Sequence, residues 1–126
     1  MSQPNKENEN LIPFKGSYAD FKAKVNEDGK SGKLIVVTFL AQWCAPCRRL
    51  SGMLPQMASE NHEVWFYKID VDENPELAEQ YEITGIPNVR LFKASKDPSG
   101  DPIQVAEIQG LDNPALREAI NAHSKA

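Results

Sequence analysis

The chain has two cysteines, Cys44 and Cys47, and only Ala45 and Pro46 separate them. Two thiols at this spacing can close a disulfide, bind a metal ion together or exchange disulfides with another molecule. An apolar run precedes the pair, and residues with helical spacing follow it. The chemistry therefore depends on which further groups the chain supplies.

A metal site and a purely structural disulfide are the less favoured interpretations. A structural zinc ion needs four ligands, and the only other soft donors, His62 and His123, are far apart in the chain. Covalent haem attachment requires a histidine after the second cysteine, but Arg48 stands there. A disulfide closing so short a loop stabilises by roughly 2 kcal/mol, against about 3 kcal/mol for a 15-residue loop.

Disulfide exchange is the interpretation that the local sequence favours. A strand ending just before Cys44 would place its sulfur at the N-terminus of a helix, where free N–H groups and the helix dipole favour thiolate. Pro46 suits the first helical turn, and Arg48 and Arg49 add positive charge. Cys47 lies one turn further on the same face. The pattern predicts that Cys44, exposed at the helix N-terminus, attacks a substrate disulfide and that Cys47, one turn deeper, resolves the mixed disulfide.

Alternating secondary-structure signals predict the elements that position this pair. Residues 34–40 are apolar and largely β-branched, as in a strand buried on both faces. The helix after it shows an apolar stripe at Leu50, Met53, Leu54, Met57 and Ala58. Further strands are predicted at residues 11–14, 63–71, 89–92 and 103–108, and further helices after Ser17, at residues 76–81 and at residues 113–123. This order predicts an α/β fold, a central mixed sheet of about five strands flanked by about four helices.

Composition predicts one domain at residues 11–126, preceded by a disordered polar arm at residues 1–10. The formal net charge of −4 is too small to indicate nucleic-acid or membrane-surface binding. The longest apolar run is far shorter than the roughly 20 residues of a membrane-spanning helix. We find no secretory signal, and therefore expect a cytoplasmic location. We also expect a monomer with no nucleic-acid or membrane partner. Residues 93–102 are expected to form a solvent loop.

Residues 11–122 resemble the thioredoxin family. Four spaced motifs carry the resemblance: Trp43-Cys44-Ala45-Pro46-Cys47 after an apolar strand, Asp72-Glu73-Asn74-Pro75, Gly85-Ile86-Pro87, and Gly110. The resemblance implies a thioredoxin fold with a redox-active Cys44–Cys47 disulfide. It also implies a protein-disulfide reductase that serves electron transport and cell redox homeostasis. Such a protein binds no cofactor or metal, receives electrons from NADPH through a thioredoxin reductase, and acts on disulfide-containing client proteins.

The same resemblance implies how clients bind. Pro87 should be a cis-proline beside the cysteines, so that the Ile86–Pro87 segment can pair with an extended substrate strand. A flat, mainly apolar docking surface should surround Cys44. Its expected members are Trp43, Ala45, Pro46, Ile86, Pro87 and Gly110.

Some positions depart from the family pattern and should tune the chemistry. Thr38 stands where the family places a buried acid beneath the second cysteine, while Lys68 matches the lysine that pairs with that acid. Strand alternation places Asp70 on the same face as Lys68, so Asp70 or water could take over the role of the acid. The alternative is that Asp70 is an ordinary strand-end residue. Gly52 occupies the position of a proline that kinks the family's helix.

Two other functions remain open at this stage. The same dithiol could act as an oxidant or isomerase if its reduction potential were less negative. Alternatively, the dithiol could be vestigial, and the segment around Trp43 could be only a contact surface in a binding module.

Overall fold

The structure is a computed structural model and describes residues 9–124. Within that range the strands are β1 (Leu11–Pro13), β2 (Ile35–Leu40), β3 (Trp65–Asp70), β4 (Asn88–Lys93) and β5 (Ile103–Gln109). The α-helices are α1 (Tyr18–Asp28), α2 (Ala45–Glu60), α3 (Pro75–Gln80) and α4 (Asn113–His123), and a short 3₁₀ turn spans Lys30–Gly32. The predicted order of elements and the α/β class are confirmed.

The five strands form one mixed sheet in the order β1-β3-β2-β4-β5. Strands β1 and β2 run parallel to β3, whereas β4 is antiparallel to β2 and β5 is antiparallel to β4. Strand β2 therefore lies at the centre, with its residues buried except for the half-buried Leu40. The ends of β2 and β3, the start of β4 and the end of β5 meet at one edge of the sheet, where Phe39 pairs with Asn88 and Asn88 with Gln109.

Helices cover both faces of the sheet. Successive side chains of β2 point to opposite faces, so both faces carry apolar side chains that a helical layer must bury. Val36 packs with α2 and α4, whereas Val37 packs with α1 and α3. The first core also contains Leu34, Leu50, Leu54, Met57, Ala58, Phe66, Val89, Leu91, Leu116 and Ile120. The second also contains Phe14, Phe21, Val25, Ile35, Phe39, Tyr67, Ile69, Leu77 and Phe92. The helical stripe predicted for α2 thus faces the sheet.

Asn10 corrects the prediction of a disordered arm through residue 10. Its side chain is only 7% exposed, and its Nδ2 donates to the carbonyl oxygens of Ala58, Asn61 and Val64 at 3.0, 2.9 and 2.8 Å. This buried amide therefore ties the residue before β1 to the end of α2 and to the turn that leads into β3, which stabilises the junction. Polarity alone does not distinguish such an anchor from a solvated tail. Residues 1–8 of the predicted arm lie outside the described residues.

The loop at residues 93–102 is held against α1 although its tip is exposed, as predicted. The buried Asn26 donates from Nδ2 to the carbonyls of Pro98 and Gly100, at 3.1 and 2.9 Å, and accepts from the amide of Ser95 at 2.8 Å. One side chain on α1 therefore fixes the loop at three points.

Helix α2 continues through both Gly52 and Pro55. The predicted apolar stripe from Leu50 to Ala58 already spans Pro55. Pro55 has no amide hydrogen for the carbonyl of Ser51. It lies on the exposed side of α2, where water can satisfy that carbonyl, so the buried side of the helix keeps its packing.

Candidate active site

Cys44 is the N-cap residue of α2, directly after the turn that leaves the central strand. Its Sγ accepts a hydrogen bond from the backbone N–H of Cys47 at 3.2 Å. Pro46 lies in the first turn of the helix, as its spacing predicts. The local sequence signals for a strand, a turn and a helix start therefore put the first sulfur at the helix N-terminus.

Cys44 and Cys47 are joined by a disulfide, with their Cα atoms 5.2 Å apart. Cys44 is 7% exposed and Cys47 is 1% exposed. The first sulfur is thus nearer to solvent, as predicted, but the expectation of an exposed Cys44 is wrong. Ile86 and Ala41 pack against the pair, and the Ile86 carbonyl oxygen lies 3.8 Å from Cys44 Sγ. A segment 42 residues away in sequence therefore covers the sulfur.

The Ile86–Pro87 peptide bond is cis, as the family resemblance implies. The Pro87 carbonyl accepts from the backbone N–H of Gly110 at 2.8 Å. Gly110 has a φ of +83°, a conformation that side chains with a Cβ disfavour. The structure thus brings the helix start, the start of β4 and the end of β5 together around the disulfide.

The residues expected to form the docking surface differ in exposure. Trp43 is 70% exposed, and its Nε1 donates to Asp72 Oδ2 at 2.9 Å, which fixes the indole ring over the turn after β3. Ala45 is exposed, while Pro46, Ile86 and Gly110 are half-buried. Pro87 is buried.

Thr38 lies 1% exposed on the α2 side of β2, directly opposite Lys68 in the parallel register. Lys68, Asp70 and Cys47 line one pocket of about 260 Å³ together with Ser51. Among residues 9–124, Lys68 makes no salt bridge. The structure therefore places Lys68 and Cys47 on the wall of the same pocket.

Asp70 already has a role in the turn after β3. Its Oδ1 accepts from the backbone N–H groups of Asp72 at 2.8 Å and Glu73 at 3.3 Å. These bonds close the turn that carries the acceptor for Trp43. They favour the plain strand-end interpretation of Asp70 over a proton-transfer role.

Charged side chains of both signs lie near the disulfide. Arg48 and Arg49 are exposed at the start of α2, and Arg48 Nη1 donates to the Gln42 carbonyl at 2.8 Å. Glu73 lines the same pocket as Arg48 and Cys47, and Asp72 and Glu73 border a shallow cleft beside Trp43. The sequence analysis predicted only the positive charges.

Two residues next to Pro87 were missed as site residues. Asn88 is 2% exposed, and its Nδ2 donates to Gln109 Oε1 at 2.8 Å. Gln109 Nε2 in turn lies 3.4 Å from the Pro87 carbonyl oxygen. The one available signal was position: Asn88 follows the Gly85-Ile86-Pro87 motif and Gln109 precedes Gly110.

Within residues 9–124 no group of three or more His, Cys, Asp or Glu side chains is arranged to hold a metal ion. None of the helices in that range has the length and apolarity that crossing a membrane requires.

A cysteine pair at the start of a helix, facing a cis-proline on a mixed sheet, defines a thiol–disulfide oxidoreductase. The family model described as Thioredoxin matches residues 13–121. The chain is 37% identical to a thioredoxin of Geodia cydonium over 110 residues, which cover 87% of this chain and 96% of the relative. It is 41% identical to a thioredoxin of Chlamydia pneumoniae over 92 residues, covering 72% and 83% of the two chains.

Solved structures agree with this match. A thioredoxin of Trichomonas vaginalis superimposes with a TM-score of 0.81 at 28% identity, covering 90% of this chain and 96% of the other. A thioredoxin of Fasciola hepatica superimposes with a TM-score of 0.74 at 38% identity, covering 85% and 94%. The chain belongs to the thioredoxin family and is a disulfide reductase of the thioredoxin type.

Proposed function

We propose that Cys44 is the attacking thiol and Cys47 the resolving thiol in the reduction of client protein disulfides. The observation that carries the assignment is the position of Cys44 at the N-terminus of α2, with its Sγ accepting the Cys47 N–H at 3.2 Å. That hydrogen bond and the helix dipole stabilise a thiolate at Cys44. Cys47, which is 1% exposed, has no comparable access to a large substrate.

The exchange proceeds in two steps. The Cys44 thiolate attacks one sulfur of the client disulfide, forms a mixed disulfide and expels the other client sulfur as a thiolate, which takes up a proton. Cys47 then loses its proton and attacks Cys44 Sγ, which forms the Cys44–Cys47 disulfide and releases the second client thiol. Two electrons pass to the client, and the protein becomes oxidised.

The client chain binds as an extended segment along Ile86 and Pro87. The Ile86 carbonyl, 3.8 Å from Cys44 Sγ, supports this arrangement because a client paired there would have its disulfide next to the attacking sulfur. Trp43, Ala45, Pro46 and Gly110 form the surrounding docking surface.

The proton that leaves Cys47 passes to water in the pocket beside Lys68. Thr38 cannot accept a proton at neutral pH, and Asp70 already accepts two backbone N–H groups. Lys68 stabilises the Cys47 thiolate electrostatically from the same pocket. Lys68 therefore tunes the resolving step, and neither Thr38 nor Asp70 supplies a buried acid.

Reduction of the oxidised protein requires an external electron donor. We assign this role to NADPH acting through a thioredoxin reductase, with the protein itself binding no cofactor. The protein would then work as a cytoplasmic monomer in electron transport and cell redox homeostasis, with disulfide-containing proteins as clients and no nucleic-acid or membrane partner. Family membership and the modest charge of −4 support this setting.

An insulin-reduction assay supplied with NADPH and a thioredoxin reductase tests the proposal. The unsubstituted protein should reduce insulin catalytically, and the Cys44→Ser variant should not. Persistent activity in Cys44→Ser would overturn the assignment of Cys44. Equilibration with glutathione buffers would reveal an oxidant, because an oxidant stays reduced under conditions that oxidise a reductase.

A further inference from the structure

A polar network links Asn88, which directly follows Pro87, to strand β5. The buried Asn88 amide donates from Nδ2 to Glu107 Oε2 and Gln109 Oε1, both at 2.8 Å. Its Oδ1 accepts from Arg90 Nε at 3.0 Å. The antiparallel register pairs Asn88 with Gln109 and Arg90 with Glu107. All the hydrogen-bonding capacity of the Asn88 amide nitrogen is thus used within the protein.

The chemistry of these partners fixes the orientation of both amides. A carboxylate only accepts hydrogen bonds and a guanidinium only donates them, so Glu107 must face the Asn88 nitrogen and Arg90 the Asn88 oxygen. Asn88 then presents an N–H to Gln109, and the Gln109 oxygen must face it. Arg90 is itself held by the Tyr81 carbonyl at 2.7 Å, so the network is anchored at its far end.

The Gln109 amide nitrogen consequently points toward the Gly85–Pro87 segment. It lies 3.4 Å from the Pro87 carbonyl oxygen and 3.0 Å from the position that a Cβ on Gly85 would occupy. The amide nitrogen carries two hydrogens, and the Pro87 carbonyl can take only one. Because Gln109 is exposed, its second N–H is open to a ligand lying along this segment.

We propose that Gln109 binds the client polypeptide by donating this N–H to one of its backbone carbonyls, and that Asn88 is the positioning residue that holds Gln109 in place. The inference rests on the proposed function, in which the client lies along Ile86 and Pro87. Strand β5 then takes part in recognising extended polypeptides. A small disulfide without a peptide backbone does not use this contact. Cys44 and Cys47 carry out the exchange itself without Gln109.

Steady-state reduction of insulin and of hydroxyethyl disulfide, a small disulfide with no peptide backbone, tests the inference. Gln109→Glu keeps an acceptor for Asn88 but removes both amide hydrogens, and Gln109→Met removes the amide without adding charge. Both variants should raise the KM for insulin by roughly three- to tenfold, the effect of one lost hydrogen bond, with kcat nearly unchanged. The rate with hydroxyethyl disulfide should not change.

Gln56 provides matched controls, because it is exposed near the C-terminal end of α2 and contacts Glu60, outside this network. Gln56→Glu and Gln56→Met should leave the insulin KM unchanged. Asn88→Ala should raise the insulin KM in the same direction, because it removes the N–H that holds the Gln109 oxygen. Combining Asn88→Ala with Gln109→Met should add little to the effect of Gln109→Met, since Asn88 acts only through Gln109.

An unchanged insulin KM in both Gln109 variants would overturn the inference while leaving the proposed function intact. An equal loss with insulin and hydroxyethyl disulfide would also overturn it, because Gln109 would then affect the exchange chemistry and not client binding. Failure of the unsubstituted protein to reduce insulin would instead reject the proposed function.

Discussion

The backbone N–H of Cys47 points at the sulfur of Cys44, 3.2 Å away, so the helix that carries the second cysteine also stabilises the first. Cys44 occupies the N-cap position, where a side chain ordinarily supplies an acceptor for such an N–H. One helix start therefore gives the two cysteines different environments. This difference underlies the order of attack proposed above.

Gly110 and Gly52 form a matched pair for testing backbone conformation. A Cβ added at either position meets nothing within 4 Å, but only Gly110 has a positive φ, of +83°. We expect Gly110→Ala to lower the free energy of unfolding by about 1–2 kcal/mol because of backbone strain. Gly52→Ala, inside α2, should raise it by about 0.5–1 kcal/mol. Urea unfolding measures both; equal effects of the two substitutions would contradict this account of Gly110.

Trp43 is expected to act in client docking and not in stability. It is 70% exposed, so Trp43→Ala should change the free energy of unfolding by less than about 0.5 kcal/mol. The KM for insulin should rise severalfold, because a large apolar contact with the client is lost. Ile103→Ala is the control, since Ile103 is 49% exposed on β5 at the end of that strand away from the disulfide. A similar rise in KM for both variants would argue against a docking surface at Trp43.

Asn10 should contribute to stability without affecting activity. Asn10→Ala would leave carbonyls at the end of α2 without their buried donor, at a cost of about 1–3 kcal/mol in the free energy of unfolding. Asn121→Ala, on the exposed side of α4, is the control and should have almost no effect. Thermal or urea unfolding gives the comparison. If Asn10→Ala were as neutral as Asn121→Ala, the anchor would be unimportant.

The pH dependence of insulin reduction distinguishes water from Asp70 as the proton acceptor for Cys47. Asp70→Asn keeps the Oδ1 that accepts the turn N–H groups but removes the ionisable group. With water as the acceptor, the pH–rate profile should keep its shape and midpoint. A shifted profile would assign the proton to Asp70 instead.

The strand, cysteine pair and helix could be predicted from sequence because their signals are local. The β-branched run of β2, Pro46 in the first turn of α2 and the apolar stripe from Leu50 onward each depend on near neighbours only. The order of elements then limits the sheet to few arrangements. For this reason the α/β class and the position of Cys44 at a helix start were both predictable.

What sequence analysis missed depends on contacts between distant residues. Asn10 falls in the predicted polar arm, and no sequence signal singles out Asn26. Each is nevertheless buried and donates to backbone carbonyls that are distant in sequence. The pairing of Asn88 with Gln109 exists only once β4 and β5 lie in register. The type of one residue does not indicate which distant residue its side chain will contact in the folded protein.

The most direct test of the order of attack is trapping of the mixed disulfide with insulin. Reduced Cys47→Ser protein lacks the resolving thiol, so it should accumulate an insulin adduct linked through Cys44, visible by mass spectrometry under non-reducing conditions. Cys44→Ser is the matched control and should form no such adduct. An adduct that formed through Cys47 in Cys44→Ser, at a similar rate, would contradict the assignment of Cys44 as the attacking residue.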